Sequence, residues 1–240
     1  MPRVSIISVI RSEFLKLRTL RSTWLSFAIT AALTIGFGAL ISYVTKMQFP
    51  KMSFIEKATF DPIAISLVGT LFAQFAVGVI GALMITSEFV SGSIRTTLAA
   101  VPSRMRVLVA KAAVLKLSVL VVGMMCVFAA FLIGQLIMSG MSKATLADAN
   151  TLRAVLLAGL YLMLLSLFGF GLGLIIRQTA GTISAFVSIL LVLPLITFLL
   201  PAAWRDAIDR WWDAWLTSST MYRWSVANPF TRWVTQRRAR

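Results

Sequence analysis

The 240 residues include no histidine and a single cysteine, Cys126. Without histidine there are no imidazole metal ligands, no Ser-His or Cys-His nucleophile pairs and no imidazole proton relays. With one cysteine there is no intramolecular disulfide, and Cys126 lies inside an apolar run, so the redox compartment stays unread. Carboxylates are scarce, with 8 Asp and Glu against 23 Lys and Arg. Gly and Lys are nowhere adjacent in that order, so the chain has no P-loop, and any ATP it depends on is bound by another chain. Ionisable groups are also missing from the centres of the long apolar runs, where proton- or sodium-coupled carriers commonly keep them. No catalytic residue and no metal site is expected.

What is present is apolar. Hydrophobic residues make up 59% of the chain and charged residues 13%, with a mean hydropathy of +0.89. That exceeds what a soluble core of this size hides and points to lipid as the solvent. Five runs, 24–44, 63–85, 117–137, 154–176 and 179–200, each have about the 20 residues that cross a bilayer core. The third, taken with its basic lead-in, covers 107–137. The expected fold is an all-α polytopic membrane protein with five spans in one transmembrane domain covering residues 1–240.

The net charge of +15 flanks the apolar runs instead of forming a separate polar domain, which fits anionic lipid better than nucleic acid. Arg3, Arg11, Lys16, Arg18 and Arg21 precede the first run; Arg95, Arg104, Arg106, Lys111 and Lys116 follow the second; Arg177 follows the fourth. The intervening loops carry fewer, with Lys46, Lys51 and Lys57 in one and Lys143 and Arg153 in the other. That asymmetry predicts a cytoplasmic N-terminus. Ile10, Phe14 and Leu17 share a helical face away from Arg11 and Arg18, so residues 4–21 read as an amphipathic helix on the membrane surface, the alternative being a plain basic flank. The tail, 201–240, holds seven Arg, three Asp and six of the seven Trp, and no uninterrupted run in it could span. Its stripe of Trp204, Ile208, Trp211 and Trp215 suits an interfacial helix.

Gly169, Gly171 and Gly173 sit within an apolar run, where close helix packing is a better reading than a nucleotide loop. Gly78 and Gly81 read the same way. Gln74 and Gln135 are the main polar residues within the spans; they are candidates to line a path, although such amides more often bond across helices.

The loop after the second run, within "SEFVSGSIRTTLAAVPSRMRVLVAK", carries a short helix. Ser91 or Ser93 can cap it, with Gly92 relaxing the turn, and Pro102 ends it before Ser103 caps the next span. Ile94, Leu98 and Val101 form one apolar stripe, which could rest on lipid or fill a groove on a partner.

"GALMITSEFVSGSIRTTLAAVPSRMRVLVAK" closely resembles the signature of bacterial ABC-2-type permeases, the membrane subunits of ABC exporters. Glu88, Phe89, Gly92, Ile94, Arg95, Leu98, Pro102, Arg104 and Lys111 match its positions, and "SEFLKLRTLRSTW" and "GLIIRQTAGTISAF" are also similar to the family. The resemblance covers residues 10 to about 200. It implies that the loop is a cytoplasmic coupling helix docking on a separate ATP-binding subunit through Glu88, Gly92, Ile94, Arg95, Leu98, Pro102 and Arg104. It further implies no cofactor in this chain, ATP and Mg being bound by the partner. A homodimer or a related permease chain, a bacterial cell membrane and outward transport are implied too. The family normally has a sixth span, which this chain lacks by the run count. The alternative is a membrane anchor or regulator that transports nothing; an intramembrane enzyme is disfavoured by the missing histidines and sparse carboxylates. Drug, peptide, lipid and polysaccharide all remain open as substrate.

Overall fold

A computed structural model describes residues 6–19, 21–54, 57, 60–93, 104–141 and 144–199. Among them the regular structure is helical throughout: α1 (Ile6–Thr19), α2 (Arg21–Gln48), a 3-10 turn at Phe49–Lys51, α3 (Pro62–Leu67), α4 (Thr70–Ser91), α5 (Arg104–Ile137), α6 (Ala149–Ile176) and α7 (Thr179–Leu199). The chain is an all-α polytopic membrane protein. The expected short helix loses Ile94, Arg95, Leu98, Val101, Pro102 and Ser103 to the undescribed residues, and the Trp-rich tail lies outside them as well.

Four helical stretches among the described residues are long and apolar enough to cross a membrane: Ser22–Lys51, Pro62–Ser91, Met105–Ile137 and Ala149–Ile176. The sequence predicts five. The fifth run falls on α7, whose apolar described stretch, Thr179–Val192, is shorter than the other four. That run also contains Pro194, which has no N–H for the helical ladder. The chain divides into two units, Met1–Val187 and Ser188–Arg240. Of the second, residues 188–199 are described; they end α7 and expose Leu191, Val192, Leu195 and Ile196.

Local chemistry sets the helix ends. Asp61 caps α3, its Oδ1 accepting from the N–H groups of Ile63 at 2.9 Å and Ala64 at 3.2 Å, with Pro62 in the first turn. Asp148 caps α6 in the same way through Asn150 N–H. Gly92 ends α4 in the left-handed region, at φ 70°, so the turn before the loop is one that glycine adopts without strain. Ser91 is the last residue of α4, and the helix that it or Ser93 is expected to cap lies outside the described residues. The second span, expected as one run, breaks between α3 and α4 beside Gly69. A Cβ on Gly69 would run into the Thr34 carbonyl of α2, so the backbones touch there.

The first unit is held by α4 against α6, with α2 and α5 flanking them. Gly81 lies against the Ser166 carbonyl, Gly169 against the Gly78 carbonyl, and Gly173 against the Ile85 side chain, where an added Cβ would sit at 2.5 Å. With lipid outside, such close approach is how membrane helices gain packing energy. Gly171 differs: nothing lies within 4 Å of the Cβ it lacks, so it takes no part in the packing expected of all three glycines. Phe131, Leu162, Val127 and Ile85 fill the core beside this seam. Leu25, Leu117, Met125 and Ile175 are turned outward, as lipid-facing side chains would be.

Candidate functional site: a buried charge cluster at the ends of three helices

α5 has 34 residues, about 51 Å of helix, so it overshoots a 30 Å hydrocarbon core by several turns. Its extra turns are the basic ones, and Lys111 lies there. The Lys111 side chain is 1% exposed, and its ammonium donates to Glu13 Oε2 of α1 at 2.5 Å and to Glu88 Oε1 of α4 at 2.6 Å. Lys16, one turn along α1, donates to the other oxygen of Glu13 at 3.1 Å and to Glu88 Oε1 at 3.3 Å. Glu13 is 3% exposed, Glu88 13% and Lys16 47%. Two carboxylates and two ammonium groups therefore close a neutral knot. It is drier at Lys111 than at Lys16. Burying charges in this way requires partners on every side, because an unpaired ion in a dry site is strongly destabilising.

The knot fixes how α1 sits. Ile10 packs on Val107 and Ala110 of α5, and Glu13 follows on the same side one turn later. The apolar face expected to lie on lipid is thus partly spent on α5. Burial pulls the Lys16 pKa down, but the hydrogen bond and charge of Glu13, together with those of Glu88, outweigh it, and the net shift is upward. A raised lysine stabilises fully below its unfolded value of 10.5 and loses that contribution as pH climbs through the higher folded value. Half-exposed, it contributes weakly.

The same end of the first unit brings together further described residues of the family-like segments. Phe89 lies under the Arg177 guanidinium, 5.7 Å from ring centre to Cζ. Arg177 itself closes α6 at φ 59°, a left-handed turn uncommon for a residue with a side chain. Thr179 Oγ1 donates to Thr86 Oγ1 at 3.1 Å, tying the start of α7 to the end of α4. The basic segment before the first span, the exit of the second, the start of the third and the end of the fourth hence share one end.

Of the residues expected to form the loop contact, Glu88 and Gly92 are placed at the end of α4 and Arg104 begins α5. Ile94, Arg95, Leu98 and Pro102 lie outside the described residues. Among the described residues Glu88 pairs with Lys111 and Lys16, and its buried Oε2 has no partner among them. Glu13 is the residue that sequence reasoning missed. Its signal was available: a lone acid among five basic residues ahead of the first span, within "SEFLKLRTLRSTW".

Gln135 and Gln74 both bond across helices. Gln135 Nε2 donates to the Pro62 carbonyl at 3.3 Å and to Ser66 Oγ at 3.1 Å, while its Oε1 accepts from Ala144 N–H at 3.1 Å. Gln74 Oε1 accepts from the Tyr161 hydroxyl at 2.6 Å.

Residues 9–195 match the family model described as ABC-2 family transporter protein. The chain belongs to the ABC-2 transporter family. It is a membrane permease component of an ABC transporter, and chains of this family are normally non-catalytic transmembrane subunits that generally work with an ATP-binding subunit. No curated protein matches the chain. The match begins inside α1, so the permease domain includes the helix that carries Glu13 and Lys16.

Proposed function

We propose that this permease couples to a separate ATP-binding subunit through the loop between α4 and α5 and drives outward transport across a bacterial cell membrane, its N-terminus cytoplasmic. Two such chains, or this one with a related permease chain, enclose the path. ATP and Mg are held by the partner subunits, consistent with the absent P-loop. The observation that carries the reading is the knot itself. It ties the two helices that flank the loop to α1, α4 at Glu88 in its last turn and α5 at Lys111, about two turns in from its start. A loop anchored in that way cannot be pulled without moving the spans on either side of it, which is what a rigid-body access switch requires.

Leu98→Asp tests the docking. On the coupling reading it puts a charge into a packed groove on the ATP-binding subunit. It should then release that subunit, or uncouple ATP hydrolysis from transport, while the chain still inserts. Normal co-purification with normal transport would leave the loop a plain connector. Stimulation of ATPase activity by a transported compound in the reconstituted complex separates a transporter from a non-transporting anchor, and the isolated chain should hydrolyse no ATP.

A further inference from the structure

Next to the knot, on the other side of α1, lies a groove of about 710 Å³. Phe14 and Leu17 of α1, Trp24 of α2, and Ser118 and Val121 of α5 form its walls, and among the described residues Arg18 is the one charged group that lines it. We propose that this groove is a binding site for one anionic phospholipid, with an acyl chain between α1 and α5 and the lipid phosphate on the Arg18 guanidinium.

Three features favour that occupant. First, the level is right. Trp24 is 63% exposed and its indole N–H donates to the Arg18 carbonyl at 3.0 Å, so an amphipathic ring is fixed at the mouth, where such rings mark the headgroup region. Second, apolar walls alone give a lipid chain no reason to leave bulk lipid, since tails are as apolar as leucine. Retention has to come from the headgroup, and the charged lining group is a cation that can grip phosphate with two N–H groups. Third, the nearby acid does not compete for Arg18. Glu13, the only acid ahead of the first span, is occupied by Lys111 and Lys16, and the one carbonyl of Arg18 is taken up by Trp24. Among the described residues no carboxylate lines the groove to repel an anion.

The site stands whether or not the complex exports anything. A single cation near a headgroup favours an anionic lipid about fivefold over a zwitterionic one. The purified full chain is placed in nanodiscs with spin-labelled phosphatidylglycerol or phosphatidylcholine, and the immobilised fraction of each is read by EPR. The wild type should hold phosphatidylglycerol about fivefold more strongly. Arg18→Gln should abolish that preference, and Arg18→Lys should keep most of it, which separates charge from any change in fold. Ser118→Trp, filling the groove, should remove about one immobilised lipid per chain. An undiminished preference in Arg18→Gln overturns the proposal. So does a Ser118→Trp chain that keeps its immobilised lipid but changes oligomeric state, because the groove would then be covered by a second copy.

Discussion

Replacing Lys111 with methionine removes the driest charge of the knot and leaves its shape nearly intact. Glu13 Oε2 and Glu88 Oε1 are both bonded to that one ammonium, so these oxygens lie no farther apart than the sum of the 2.5 and 2.6 Å bonds. Without it, two carboxylates face each other in a dry site, with only half-exposed Lys16 to offset them. Removing one member of a buried ion pair costs about 3–5 kcal/mol, roughly a hundred- to a few-thousand-fold in an unfolding equilibrium. Reversible SDS-induced unfolding of the purified chain measures this directly. Lys111→Met should lose stability in that range. Replacing Glu13 and Glu88 by leucine in the same chain should recover most of it, since an apolar set of similar volume avoids the desolvation cost that the ions carry. If Lys111→Met unfolds within about 0.5 kcal/mol of the wild type, as surface changes do, the knot is not a buried unit and the anchoring argument fails.

Three further outcomes follow from packing and hydrogen bonding. Gly169→Val places a branched side chain against the Gly78 carbonyl and should cost about 1–3 kcal/mol by forcing α4 and α6 apart, whereas Gly171→Ala, with nothing within 4 Å, should be neutral in the same unfolding assay. Gln135→Leu strips the partner from Ala144 N–H and from Ser66, and should cost about 1–3 kcal/mol, read as a lower thermal midpoint in detergent. Gly92→Ala meets no steric neighbour among the described residues, so its cost should be chiefly the backbone term, about 1–2 kcal/mol, with Gly92→Asn milder.

Four of the five expected spans were legible because hydropathy is additive along the chain: a run of 20 apolar residues announces itself whatever it packs against. The glycine seam was legible in kind but read too broadly: Gly169 and Gly173, four apart, share the helix face that meets α4, whereas Gly171 falls on the opposite face, a split that helical spacing already implies. The break at Gly69 depends on how closely α2 approaches, which no local pattern encodes. Glu88 and Lys111 entered the reading through a motif, but their mutual contact and Glu13 did not. The three residues are separated by 98 and 23 positions, and a buried ion pair leaves no periodic trace. What one-dimensional reading did offer was imbalance. A solitary acid in a basic segment ahead of a membrane span is a charge in search of a partner.

That partnership constrains motion as well as stability. Lys111 is satisfied only while the ends of α1, α4 and α5 stay together, and separating them by even one bond length exposes or orphans three ions at once. A conformational change that split the knot would have to supply about 3–5 kcal/mol beyond its other costs. Movement of the three ends as one body supplies none of it. Spin labels on α1 at Arg11 and on α5 at Val109, both exposed, should therefore keep the same separation in the ATP-bound and nucleotide-free states of the complete complex, while on the proposed function the separation between the two permease chains changes. A change of about 5 Å or more, one helical turn, between Arg11 and Val109 would mean that α1 slides along α5 during the cycle. In that case the knot is a catch that opens, not a weld, and the loop does not carry α1 with it.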